Sequence, residues 1–165
     1  MSIWYYVNVT IHVLAAMLWL GGMFFLGVVG APVLRAVNPP ELRQSLFHQL
    51  GLRFRTVGWW TIGVLVVTGV INLYFRGWFD AGAPVGRGVF WRSATGHALM
   101  AKLVAVAVML VVSAIHDFSI GPRAGGEVAG SPRALELRRR AAVLARINAL
   151  LGVVVVIAAV RLARG

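Results

Sequence analysis

Residues 11–25 read IHVLAAMLWLGGMFF, and the histidine inside this stretch decides what kind of protein the chain is. The stretch belongs to an apolar run, Ile3 to Gly30, that holds no Lys, Arg, Asp or Glu. At about 1.5 Å per residue a helix of that length reaches roughly 40 Å, enough to cross a hydrocarbon core of about 30 Å. Apart from Tyr5 and Tyr6, His12 is its only ionisable group. On a helix His12, Trp19 and Met23 fall at i, i+7 and i+11, which is one face. An imidazole inside a membrane span marks a functional site by default, so the rest of the chain has to supply its partners.

Composition agrees with a membrane protein. Of 165 residues, 59% are hydrophobic and 13% charged, and mean hydropathy is +0.82. A soluble domain carries about 25% charged residues. Cysteine is absent, which removes disulfides, thiolate metal sites and cysteine nucleophiles. The net charge of +11 does not point to nucleic acid. The arginines lie between apolar runs, where they set topology and meet lipid headgroups. The first run is too long for a signal-peptide core and lacks a basic leader, so it is expected in the mature protein.

Four spans follow, at about 3–30, 57–75, 97–120 and 147–160. The expected fold is all-α, an integral membrane four-helix bundle forming a single membrane domain over residues 1–165. In the first connection, ELRQSLFHQLGLRFR (41–55) reads as a short amphipathic interfacial helix. Residues 76–96, rich in Gly and carrying Trp78, Phe79, Phe90 and Trp91, read as a loop at headgroup level. RALELRRR (133–140) reads as a helix running into the fourth span. Arginines 35, 43, 53, 55, 123, 133, 138, 139 and 140 share one side, against 76, 87, 92, 161 and 164 on the other. By the positive-inside rule both termini face outward, in a multi-pass protein of the inner (plasma) membrane.

Depth sorts the polar groups into two zones. His12 lies about 14 Å below the outer end of span one and Lys102 about 8 Å below that of span three, so the two can approach. His97 and Met100 sit at the same outer end. Near the inner face Met23 and His116 come out at similar depth, close to Arg146, Asn148 and His48. Lys102, Met109, Ser113 and, less closely, His116 form one stripe of span three. Thr61, Thr68 and Asn72 share a face of span two, where inter-helix hydrogen bonding is their plainer role. Four helices with inward histidines are a common host for haem, whose propionates arginine or lysine can neutralise.

The pattern H-x6-W-x-G-G (His12, Trp19, Gly21, Gly22), the RF…TG run (Arg53, Phe54, Thr68, Gly69) and G-x5-K-L (Gly96, Lys102, Leu103) resemble the CopD family of membrane proteins, named for copper resistance. The same first span, with His116 and the R-x-N of Arg146 and Asn148, is similar to HemJ-type protoporphyrinogen oxidases, four-helix proteins that bind b-type haem. The HemJ R-x-N-E stands here as Arg146-Ile147-Asn148-Ala149, without its acidic residue. The resemblance implies that His12 is a haem ligand or catalytic residue and Lys102 its functional partner.

The leading expectation is therefore a b-type haem protein with a redox role, electron transfer or HemJ-like oxidation, which would make it an oxidoreductase. Haem b would lie between spans one and three, with His12 and His116 as the candidate metal ligands and His97, Lys102, Arg146, Asn148 and Trp19 as the surrounding cofactor-binding candidates. For an ideal pairing with His12, His97 is too shallow and His116 too deep, so the second axial ligand stays open. Redox partners would be a quinone, a porphyrin or another cytochrome. The alternative is a copper-transporting or copper-handling protein, with His12, Met17, Met23, Met100 and Met109 along a path. A two-haem cytochrome and a purely structural subunit complete the readings. Gly27-x3-Ala31 suits packing within the bundle or in a homo-oligomer.

Overall fold

A computed structural model of the protein describes residues 2–80, 82–83 and 86–164. Four helices long and apolar enough to cross a membrane make up nearly all of it: α1 Ile3–Arg35, α2 Pro40–Phe75, α3 Ala94–Gly126 and α4 Pro132–Arg164. Four successive crossings bring both termini to one end, here called the terminal end. The opposite end carries most of the arginines.

Each helix outruns the apolar window that announces it. The segment 41–55 is not a separate interfacial helix, because no breaker stands between Arg55 and Trp59 and the backbone ladder continues through Gly58 into the span. Gln44 ties this extension down: its Nε2 donates to the Glu127 carbonyl at 2.7 Å, while its Oε1 accepts from Arg138 at 2.8 Å. Two adjacent tryptophans of α2, Trp59 and Trp60, face different ways. Trp60 is 76% exposed toward lipid, whereas Trp59 turns inward and donates to Asp117.

Helices α1 and α3 each carry one widened, π-helical turn near the arginine-rich end, Leu26–Gly30 and His116–Ile120. The cause follows in the sequence. Pro32 and Pro122 lack an N–H, and their rings press on the carbonyl four residues back, at Val28 and Phe118. Widening the turn relieves that clash without ending the helix. The bonds then skip five residues, from Ala31 N–H to the Leu26 carbonyl and from Gly121 N–H to the His116 carbonyl.

Packing pairs α1 with α2 and α3 with α4, and α1 also touches α4. Leu99, Ala105 and Met109 of α3 and Ala158 of α4 are buried, with Met109, beside Gly152 of α4, only 2% exposed. Gly152 lets α1 approach α4, because a Cβ there would overlap Leu20 Cδ1. Small residues at such crossings let backbones close in where lipid removes the hydrophobic drive between helices.

Serines start the last two spans. Ser93 Oγ accepts from Gly96 N–H at 3.1 Å and Ser131 Oγ from Ala134 N–H at 3.1 Å. Each satisfies an otherwise orphaned helix donor. Ser131→Ala is expected to cost about 0.5–2 kcal/mol, read as a lower unfolding midpoint in detergent.

Candidate functional site

The polar side chains gather in two places, one on the α1–α2 seam and one at the arginine-rich end. At the first, Asn8 is buried on α1. Its Nδ2 donates to the Thr68 carbonyl at 2.9 Å and to Asn72 Oδ1 at 2.9 Å. One turn further along, His12 Nδ1 meets Thr68 Oγ1 at 2.7 Å. The Thr68 hydroxyl proton is already committed to the Val64 carbonyl, at 2.6 Å. Thr68 therefore accepts, and His12 Nδ1 carries the hydrogen. That leaves Nε2 with a free lone pair, the form in which imidazole ligates metals.

Gly69 borders the same ring, with room for a Cβ 3.6 Å from His12 Cε1. Lys102 of α3 lies within electrostatic reach of His12, and Arg76 within reach of Lys102. The lysine has neither a hydrogen bond nor an ion pair among the described residues. His97 stands apart: it is exposed in the first turn of α3. Asn8 escaped the sequence reading, although it sits at i−4 from His12 on the same face.

The second zone is a cavity of about 70 Å³. Its lining includes Trp19, Met23, Phe54, Ser113, His116, Asp117 and Asn148. Asn148 Nδ2 donates to Ser113 Oγ at 2.7 Å, while its buried Oδ1 has no partner among the described residues. His116 Nδ1 meets Asp117 Oδ1 at 2.8 Å, and Asp117 Oδ2 accepts from Trp59 Nε1 at 2.9 Å. Arg146 is exposed and does not line the cavity. Spaced i, i+2 from Asn148, it points to another side of α4. His48 packs on the α3 extension instead, where a Cβ on Gly125 would come 2.6 Å from its Nδ1.

The motif fragments read in the sequence are brought together in pairs. Thr68-Gly69 borders His12, Phe54 lies where a Cβ on Gly22 would come 2.6 Å from its ring, and Trp19 rests against Gly58. The methionine path does not form as one line. Met17 and Met100 are 66% and 46% exposed, Met109 is sealed in the α3–α4 seam, and Met23 lines the cavity. No three His, Cys, Asp or Glu side chains converge among the described residues.

These features define a polytopic membrane protein with ionisable groups lodged between its helices. The profile of the copper resistance protein D family, CopD, matches residues 48–162. The chain belongs to that family. It is also 32% identical over 116 residues to an uncharacterized protein of Aquifex aeolicus (strain VF5), covering 69% of this chain and 68% of that protein. No solved structure matches it. The matched region holds Thr68, Gly96, Lys102, His116 and Asn148, while His12, Trp19 and Met23 precede it.

Proposed function

We propose that this chain handles copper at the inner membrane, with monovalent copper as its cargo and the arginine-rich end in the cytoplasm. The observation that carries the reading is His12, whose Nδ1–H is committed to Thr68 so that Nε2 is presented as a nitrogen donor. Imidazole and thioether suit copper, and CopD membership points the same way. The nearby Lys102 ammonium opposes a cation at His12, which suits a cargo that is passed on.

Haem b between α1 and α3 is the less favoured reading. The cavity inside the bundle, at about 70 Å³, falls well below the roughly 300–1,000 Å³ of sites for organic ligands. His12 does not line it.

The test is an anaerobic titration of the purified protein in nanodiscs with Cu(I) against a chromogenic chelator. His12→Ala is expected to lose one bound equivalent. An unchanged stoichiometry removes His12 as a copper ligand. A Soret band that shifts on reduction, at one haem per chain and abolished by His12→Ala, would replace copper with haem. In the same assay Lys102→Leu, which removes the charge without adding a donor, is expected to tighten copper at His12 on the order of tenfold. A like charge within electrostatic reach is worth on the order of 1–2 kcal/mol at an effective dielectric of about 20, less whatever screening removes.

A further inference from the structure

We propose that the cavity at the arginine-rich end is a second copper(I) site, formed by Met23 Sδ, His116 Nε2 and Asn148 Oδ1. The inference rests on the copper reading for the identity of the ion, but its residues and geometry are independent of His12.

Three features on different helices converge there. Asn148 is 5% exposed, and its amide is half used: Nδ2 is spent on Ser113 while Oδ1 has no partner among the described residues. An unsatisfied buried carbonyl costs about 1–3 kcal/mol, which a bound ion would recover. Met23 brings a thioether to the same cavity, its Sδ accepting a long hydrogen bond from Asn148 Nδ2 at 4.0 Å and keeping a second lone pair for a ligand. His116 brings an imidazole.

The histidine is oriented from behind. An ionised Asp117 can only accept, so the 2.8 Å contact places the hydrogen on His116 Nδ1 and leaves Nε2 free. The carboxylate is itself held by the Trp59 indole at 2.9 Å, and its backbone carbonyl accepts from Arg55 at 3.2 Å. A carboxylate behind an imidazole, oriented in turn by a further donor, is how proteins commonly fix a metal-binding histidine.

Size and donor type select the ion. About 70 Å³ admits an ion with a water or two, at about 30 Å³ per water in the liquid, but no organic cofactor. One imidazole and one thioether are too few for zinc and too soft for magnesium or calcium. They suit Cu(I), which favours soft donors, with the harder amide oxygen of Asn148 only a weak third contact. Charge differs as well: His12 faces a lysine, while His116 is backed by the Asp117 carboxylate, with the Arg55 guanidinium on the Asp117 carbonyl. Copper rests more tightly at the cavity because the cavity adds a thioether to the imidazole. Met23 stands on the same helix face as His12, about 16 Å further along α1.

The experiment combines the anaerobic Cu(I) titration with copper K-edge X-ray absorption on full-length protein in nanodiscs. Two bound Cu(I) are expected, the tighter one with a sulfur scatterer. Met23→Leu, which preserves volume, and His116→Gln should each weaken the tighter site at least tenfold and leave the other. Selenomethionine labelling provides the same reading without a substitution, as a copper–selenium scatterer. Absence of sulfur and selenium scattering, or two variants that bind like the parent, overturns the cavity site. If His12→Ala still removes one equivalent in that case, the copper reading survives alone. If sulfur-bound copper persists and His12→Ala changes nothing, the cavity site stands and the role of His12 falls.

Discussion

Replacing Thr68 by valine is expected to weaken Cu(I) at His12 by about ten- to hundredfold, the usual cost of losing an outer-shell partner of a metal-binding histidine. The valine keeps the volume but offers no oxygen to His12 Nδ1–H, now 2.7 Å from Thr68 Oγ1. The ring is then free to turn or to exchange tautomers, and Nε2 is no longer held as the donor. Thr68→Ser keeps the hydroxyl and should restore most of the affinity. A direct loss of copper through unfolding is separable, because one inter-helix bond in a membrane is worth about 0.6 kcal/mol. Titration of both variants, beside their unfolding midpoints, decides the matter. Equal affinity in Thr68→Val and the parent would remove Thr68 from the site.

The second large effect is on folding. A Cβ on Gly96 would overlap the Phe90 carbonyl oxygen, and it would come 2.9 Å from the Phe90 carbonyl carbon and 3.0 Å from Trp91 Cα. All of these are backbone atoms, so no side-chain rotation relieves the overlap. The short 3₁₀ turn Phe90–Arg92 packs against the first turn of α3 because residue 96 lacks a side chain. Gly96→Ala is expected to cost about 2–3 kcal/mol, at the upper end of overpacking penalties. It should appear as a clear drop in the detergent unfolding midpoint. Gly152→Ala meets only the movable Leu20 and Met109 side chains and should cost less. If the two substitutions prove equally mild, the turn yields where the structure holds it rigid.

Hydropathy makes the four spans legible, since a run without charges long enough to cross lipid has few alternatives. The inward faces are legible too. The stripe of Met109 and Ser113 is buried, as is Thr68, because the 3.6-residue repeat records which side of a helix avoids lipid contact. Periodicity says nothing of which stripe meets which. His12 reads as facing span three, yet it bonds to Thr68 of the second helix. Thr68 reads as inter-helix glue and turns out to orient the imidazole. Thr61, beside it, bonds within its own helix to the Val57 carbonyl. The bond from Trp59 to Asp117 depends on the close approach of two helices far apart in sequence. The His116–Asp117 pair is adjacent in sequence but takes its meaning from the cavity beside it.

The widened turns have a consequence for the register of everything beyond them. A bond that skips five residues instead of four amounts to one extra residue absorbed without a loop. In an unbroken α-helix each residue advances about 100°, so side chains after 120 are out of phase with those before 116 by roughly that amount. Removing one residue from His116–Ile120 would therefore leave a regular helix whose later groups keep their neighbours, whereas a deletion elsewhere in α3 would turn them by about 100°. The contacts beyond the turn, including Gly125 against His48, would survive the first deletion and be lost in the second.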